Sequence, residues 1–490
     1  MLCIVINGPT LQDVYNQIVL ATKYHSLVEL RLDLIENLDL DELKLLRNTF
    51  PISMIFTLRP TSLGGNYSGS ENERQSLIKK LATLKPNYFD LESFLPISFI
   101  KEFKKQNPEI KIIFSFNDFE KMPILSNVLE EMYKTPADFY KIAVKVNSSA
   151  ESLSLLDFMK NHGPNLSIIG IGEFGIVTQI LSPIFGGVFS YACLDSKQRT
   201  IWELLTIDEL LNLYNYNTLS VNTSIYGVIG NPLDKSLGPT TYNPLMKFFN
   251  IPAVYVKFPV TGDQLKEFLD WAKKIGIMGL SVTMPLKEQV IPYLNEIDSW
   301  ANRIKSVNHL ILKGEKIESY NTDGKGALSA IENQMLVKNK RIVLLGAGGA
   351  GKAIAAEAVD RGAQVIILDL NEGTAKKLGE LLGCESGGMV RMEVEYKRGY
   401  DILINATPSQ LPIDPKFIKT HSFVMDVSMK PILTALLQEA KKRGCLLVHG
   451  DEMFVNQALI QSEHWFGDKI DLEKSREIMK NSLLENKSEK

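Results

Sequence analysis

The 490-residue chain is 45% hydrophobic and 23% charged with a formal net charge of -3. That composition suits about two to four globular domains with full-sized cores, and without long basic runs it argues against nucleic acid as a main partner. The apolar runs are too short for a signal peptide or a membrane span, and Cys3, Cys193, Cys384 and Cys445 are scattered without CxxC or zinc spacing. A cytoplasmic, metal-free, membrane-free protein is expected. In chain order, eight short apolar runs come first, at 2–7, 27–33, 52–59, 88–93, 111–117, 140–146, 166–172 and 187–193, with amphipathic segments between them. Eight strands alternating with helices predict an α/β fold, a (β/α)8 barrel over 1–215 with its chemistry at the C-terminal strand ends. A doubly wound open sheet is the alternative.

Strand side chains alternate, so Glu29, Arg31 and Asp33 share one face while Val28, Leu30 and Leu32 share the other. The apolar face can meet helices, which turns the charged face inward. The same parity pairs Thr57 with Arg59, Asp90 with Glu92, and Lys141 with Ala143 and Lys145. Charges aimed into a barrel are costly to bury unless they pair with each other or with a polar ligand, so a salt-bridge plug or an active site is expected. The segments ELRLD (29–33), TLR followed by GG (57–59, 64–65), DLE (90–92) and KIA (141–143) resemble type I 3-dehydroquinate dehydratase. The resemblance implies that Lys141 forms a Schiff base with the substrate ketone, that Glu29, Arg31 and Arg59 bind the polyol and its carboxylate, and that Gln198 matches a substrate-binding glutamine. A lysine in a barrel beside another cation, with Lys145 the candidate, has a reason to lose its proton and attack. Four positions depart from the family pattern. Asn117 stands where the family has its histidine acid/base, Gln179 where an arginine holds the carboxylate, and Leu63 and Leu194 replace a glutamate and a serine. His25 and His162 precede strands, at the wrong face to substitute, which leaves Glu29, Glu92 or Glu173 as bases. A barrel that forms the imine but turns over slowly is expected.

After a polar linker at 214–224, a substrate-binding domain is predicted over 225–334. YGVIGNPLDKSLGP carries Ser236, GLSVTMPLKEQV carries Thr283 and Lys287, SVNHLIL carries Asn308, and SYNTDGKGAL carries Asn321, Thr322 and Asp323, all at strand ends or turns. A Lys–Asp pair can exchange the proton that accompanies hydride transfer. The stretch 341–370 reads strand, glycine loop, helix, strand, and opens a dinucleotide-binding Rossmann domain over 335–450. Gly346 suits the tight turn, Gly348 the approach of a pyrophosphate and Gly351 the close helix packing. Asp369 ends the second strand, where an acid accepts from a free ribose 2′-OH and repels a 2′-phosphate, which suggests NAD(H). His421 and His449 read as turn or packing residues. C-terminal helices over 451–490 return to the substrate domain, beginning with one over 456–466, and the charged tail from Glu473 is expected to fray after a helix.

GNPLDKS, SVTMPLKEQV, VNHL, NTDGKG, GAGGAGKA, NATPS and GDEMFVNQALIQ resemble shikimate dehydrogenase, in order, over about 225–467. The resemblance implies Lys287 and Asp323 as the catalytic pair and Ser236, Thr283, Asn308 and Gln457 as substrate contacts. It places Gly346, Gly348, Gly349, Ala350, Gly351 and Asn405 on the cofactor, NADP(H) in that family. Gly238, His309 and Met429 stand where a serine, a threonine and a tyrosine are usual. Asp369 and Leu370 align with an Asn-Arg pair that clamps the 2′-phosphate. The two resemblances join, because the product of the first reaction, 3-dehydroshikimate, is the substrate reduced to shikimate in the second. A bifunctional enzyme is expected, with a dehydrogenase of shikimate or quinate carrying an impaired, structural barrel as the alternative.

Overall fold

The computed structural model describes residues 1–24, 27–198 and 203–488; His25 lies outside them. The chain divides into two compact units, Met1–Ser224 with Pro252–Val260 and Glu267–Ile275, and Ile225–Ile251 with Thr261–Lys266 and the chain from Gly276 onward. In the first, β1 (Leu2–Ile6), β2 (Leu27–Arg31), β3 (Met54–Thr57), β4 (Tyr88–Glu92), β5 (Lys111–Asp118), β6 (Phe139–Lys145), β7 (Leu166–Ile171) and β8 (Ser190–Ala192) form one sheet of order β7-β6-β5-β4-β3-β2-β1-β8. Every pairing is parallel, and the sheet curls into a near-closed barrel. At the seam Phe189 N–H donates to Ser167 Oγ (2.8 Å) and Val188 N–H to Leu166 O (3.4 Å). The side chains of Thr10, Asp39, Ser70 and Ser148 accept from the first turns of the helices that follow them, fixing where those helices start.

The barrel interior has two levels, set by where along each strand a residue falls. Cys3, Leu27, Ile55, Tyr88, Ile113, Phe139 and Phe189, early in their strands, form an apolar layer. Two residues later on the same faces come Glu29, Thr57, Asp90, Ser115, Lys141 and Tyr191, all buried. Period two thus carries the apolar floor directly to the polar site at the C-terminal strand ends. The charged face ends sooner than the sequence suggests. The chain leaves β2 for a 3-10 turn at Leu32–Leu34, so Asp33 does not continue the strand. Its carboxylate instead takes Arg31 Nε (2.9 Å) and Nη2 (2.7 Å) and the N–H of Asn66 (3.0 Å).

Strand β10 (Ala253–Pro259) clusters with the first unit. In the second unit β9 (Ser224–Gly230), β11 (Ile277–Val282), β12 (Glu296–Ile297), β13 (His309–Lys313) and β14 (Lys316–Tyr320) run in the order β9-β11-β13-β14-β12 with mixed directions. A second sheet is wholly parallel. It comprises β15 (Arg341–Leu345), β16 (Gln364–Asp369), β17 (Glu385–Gly388), β18 (Ile402–Asn405), β19 (Phe423–Asp426) and β20 (Leu446–Val448), in the order β17-β16-β15-β18-β19-β20. Its strands are apolar on both faces because both are buried: Ile342 and Leu344 pack on one side, Val343 and Leu345 on the other. This is the doubly wound order in which the chain reverses between β15 and β18, leaving a crevice at their C-terminal ends.

Two glycines allow the close approaches that build this unit. A Cβ on Gly351 would lie 2.1 Å from Gly346 O, so helix Gly349–Asp360 rests directly on the loop backbone. A Cβ on Gly326 would meet Gln457 Cβ and N at 2.8 Å, where helix Gly450–Phe466 crosses helix Asp323–Glu332. Gly351→Ala is therefore expected to lower stability by about 1–3 kcal/mol, because the clash is with backbone that must shift; a denaturant midpoint equal to wild type would contradict it. The tail differs from its expected fraying. Leu472–Ser488 is helical, with Ser475, Met479, Ser482 and Leu483 buried along one stripe. Among the described residues, no helix is long and apolar enough to cross a membrane.

Candidate active sites

In the barrel, Lys141 is 1% exposed and its Nζ donates to Asp90. Glu29 Oε1 lies 3.9 Å from the same ammonium, and the Tyr191 ring centroid 5.0 Å from it. Lys145, expected as a neighbouring cation, is not the group that meets Lys141; two carboxylates are. Ser115 Oγ donates to the other Asp90 oxygen (2.5 Å) and Thr57 Oγ1 to Glu29 Oε1 (2.6 Å). Burial pushes the Asp90 carboxyl up, but the charges of Lys141 and Arg59 and the two hydrogen bonds outweigh it and hold Asp90 below the usual carboxylate range. Glu29, Arg31, Arg59 and Lys141 share one small cavity with Val5, Ile169, Tyr191 and Leu204. A buried lysine with two carboxylates beside it and two arginines in the same cavity is arranged to receive an anionic carbonyl compound.

Sequence reasoning misses Arg74. This fully buried arginine of helix Glu71–Ala82 donates to Glu92 Oε2 (2.7 Å) and Leu58 O (3.0 Å). The signal is faint: carrying the buried stripe of Ile78, Leu81 and Ala82 back one turn lands on Arg74. Glu92 Oε1 is buried without a hydrogen-bond partner, and burial holds this carboxyl above its ordinary range despite Arg74.

In the second unit Lys287 Nζ donates to Asp323 Oδ2. Lys287 lies just past β11 on the short helix Leu286–Gln289, and Asp323 opens helix Asp323–Glu332. Asn308 Nδ2 donates to Asp323 Oδ1 (2.8 Å) and Thr322 Oγ1 (3.0 Å), and Asn321 Oδ1 accepts from Asp323 N–H (3.0 Å). The carboxylate is thereby aimed at the lysine. Gln457 Oε1 sits 3.3 Å from Thr322 Oγ1 and 3.5 Å from Asn308 Nδ2. Behind it Gln461, also missed from sequence, donates to Gln457 Oε1 (2.9 Å) while accepting from Tyr242 Oη (2.8 Å) and Ser281 Oγ (2.7 Å). Thr283 follows β11 directly, its N–H bound to Ile229 O (2.9 Å). Ser236, in the turn after β9, accepts from Gly238 N–H (3.5 Å) and is not drawn into this network.

The glycine loop reaches the same place. A Cβ on Gly349 would lie 3.3 Å from Lys287 Cδ, so the loop borders the lysine. Gly346 has φ +101°, and Gly348 faces open space within 4 Å. Gly348 caps helix Gly349–Asp360, and Gly349, Ala350 and Gly351 open its first turn, whose free N–H groups suit a pyrophosphate. The residues present therefore fit a dinucleotide. Asn405 ends β18, and its amide donates to Ser409 O (2.8 Å) and Asp426 Oδ2 (3.0 Å) and accepts from Thr407 Oγ1 (2.7 Å), holding the NATPS turn beside the loop. Among the described residues no cluster of His, Cys, Asp or Glu could hold a metal ion.

A family model for type I 3-dehydroquinase matches residues 2–220, and one for the shikimate dehydrogenase substrate binding domain matches 228–310. Over 472 residues the chain is 33% identical to the shikimate biosynthesis protein AroDE of Chlamydia pneumoniae, covering 96% of each chain. The chain belongs to the bifunctional 3-dehydroquinate dehydratase/shikimate dehydrogenase family. It is also 31% identical to the bifunctional chloroplastic enzyme of that name from Arabidopsis thaliana, over 94% of this chain and 81% of that one. A solved shikimate dehydrogenase in complex with NADP+ matches with a TM-score of 0.51 and 33% identity, over 55% of this chain and 97% of that one.

Of the four positions that depart from the family pattern, Asn117 alone is left with unpaired polar atoms. Asn117 is 7% exposed with neither amide atom hydrogen-bonded. Gln179 turns to the chain instead of the cavity, its Oε1 accepting from Leu205 N–H (3.0 Å) and its Nε2 donating to Glu203 O (3.4 Å). Leu63 is buried, and His162 is exposed with Nδ1 at Phe158 O (2.7 Å). The Gln198 side chain lies outside what the structure describes. In the dehydrogenase, His309 follows Asn308 into the core, fully buried between Trp465, His464 and Tyr320. Burial holds its pKa well below 6.5, so it is neutral in the folded chain. The unfolded chain binds the proton first: this site costs no stability above about pH 6.5, and below it each pH unit costs about 1.4 kcal/mol until the folded value is reached. His309→Leu is expected to flatten the fall in Tm between neutral and mildly acidic pH. An acid limb as steep as wild type would contradict that.

Proposed function

We propose that the chain catalyses two successive steps, dehydration of 3-dehydroquinate to 3-dehydroshikimate and reduction of that ketone to shikimate. The observation that carries the reading is that each unit sets a lysine–carboxylate pair, Lys141 with Asp90 and Lys287 with Asp323, among the residues the two families require. In the barrel, the Lys141 amine adds to the substrate ketone and water leaves, giving an imine that acidifies the adjacent carbon. Loss of that proton and of the β-hydroxyl as water forms the enone, and hydrolysis of the imine frees the product. Glu29, Arg31 and Arg59 hold the hydroxyls and carboxylate. With Asn117 unable to exchange a proton near neutral pH, dehydration is slow, and Glu29, Glu92 or Glu173 is left to move the proton.

In the second unit a bound nicotinamide supplies or accepts the hydride. Lys287 donates a proton to the alcohol oxygen as charge develops there and regains one from solvent, while the Asp323 carboxylate orients it and favours its charged form. Ser236, Thr283, Asn308 and Gln457 position the ring and carboxylate, with Gln461 holding Gln457. The assigned limits are 1–215 for the barrel, 225–334 for the substrate domain, 335–450 for the dinucleotide domain and 451–490 for the returning helices. Free thiols at all four cysteines support a reducing compartment such as the cytoplasm. Offering 3-dehydroshikimate, shikimate and quinate separately with the matching oxidised or reduced dinucleotide tests the second reading. Turnover of 3-dehydroshikimate and shikimate is expected to exceed that of quinate, and the reverse order would make the protein a quinate dehydrogenase.

A further inference from the structure

Strand β16 delivers Asp369 to the rim of the glycine loop, where its carboxylate is gripped from two sides. Oδ2 accepts from Ala347 N–H (2.8 Å) and Oδ1 from Asn371 N–H (2.8 Å). Both donors are backbone, so the acid is fixed relative to the loop that holds the pyrophosphate. The next residue, Leu370, is 92% exposed and carries no charge. Asn371 is spent on capping helix Glu372–Leu382, accepting from Thr374 N–H (3.3 Å). Glu372 adds a second carboxylate in the first turn, and Lys376, one turn further, pairs with it at 2.8 Å. Across β17, Arg391 donates to Ser386 O and Glu385 Oε2, both at 2.7 Å.

We propose that this edge selects NAD(H) over NADP(H), with Asp369 accepting from the adenosine ribose hydroxyls. The inference rests on the dehydrogenase reading and departs from the NADP+ seen in the solved relative. A hydroxyl donates to a carboxylate, whereas a 2′-phosphate brings two negative charges against one. No guanidinium follows Asp369 to offset that repulsion, because the side chain in that place is a leucine. Lys376, the cation nearest in sequence on the helix, is already matched by Glu372.

Calorimetric titration of the full chain with NADH and NADPH, at one ionic strength, tests this without reference to turnover. NADH is expected to bind about 10²-fold more tightly, the scale of a like-charge contact at short range. Leu370→Arg, at an exposed position that leaves folding undisturbed, is expected to tighten NADPH about tenfold and leave NADH nearly unchanged. Asp369→Asn should narrow the gap further. Equal affinities in the wild type, or tighter NADPH, would overturn the proposal. Binding of neither dinucleotide would overturn the dehydrogenase reading itself, and this proposal with it.

Discussion

Lys287→Ala and Asp323→Asn are each expected to lower kcat for 3-dehydroshikimate reduction by about 10²–10⁴, the usual loss when a positioned acid is removed. Nucleotide affinity should change little, because the backbone N–H groups of the glycine loop belong to a different segment of the chain. Both variants should fold. Asp323 keeps its hydrogen bonds from Asn308 and from its own N–H to Asn321 when Lys287 is gone, and the asparagine is isosteric with the acid. The split matters more than the size of the loss. If KM rose while kcat stayed near wild type, the pair would bind substrate without moving a proton. Steady-state kinetics with a dinucleotide titration on the same variants separates the two cases.

In the barrel the largest effects fall on Lys141 and Asn117. Lys141→Ala is expected to abolish dehydration, and it should also destabilise the first unit by about 3–5 kcal/mol, because Asp90 loses the charge that offsets its burial. Asn117→His is expected to raise kcat by about 10² with a smaller change in KM, since it restores a group that can exchange protons. The site tolerates it in one respect: the existing amide forms no hydrogen bond to lose. Enone absorbance with 3-dehydroquinate measures both. Dehydration unaffected by Lys141→Ala would place the chemistry elsewhere, and no gain from Asn117→His would mean that another group already carries the proton.

The eight barrel strands are legible because each is short, apolar and bounded by turns, and the inward charges follow from period two alone. The same parity fails at Asp33, where Arg31 is a better partner than the next position of a strand. The glycine unit is legible because loop, helix and both strands lie within 341–370, so local pattern and tertiary structure coincide. What escapes has its partner far away in sequence. Arg74 reads as one more helix-surface cation until Glu92, 18 residues on, accepts from it. Gln461 closes the GDEMFVNQALIQ motif without a role until Tyr242, 219 residues earlier, reaches it. The tail shows the converse error: its charge suggests fraying, while its buried stripe of Ser475, Met479 and Leu483 decides the outcome. In the barrel, the departures at Asn117 and Gln179 are visible in the sequence. That Gln179 has become a brace for 203–205 requires the structure.

Borohydride reduction of the protein in the presence and absence of 3-dehydroquinate, with the mass of each tryptic peptide mapped, tests directly whether Lys141 carries the dehydration. Together with a parallel sample supplied with 3-dehydroquinate and NADH, this interrogates both sites of one chain. A substrate-dependent adduct is expected on Lys141 and on no other lysine. Shikimate is expected to form slowly, at the rate of enone release, and faster in Asn117→His. An unlabelled Lys141, or shikimate accumulating while Lys141→Ala is as fast as wild type, would contradict that role of Lys141.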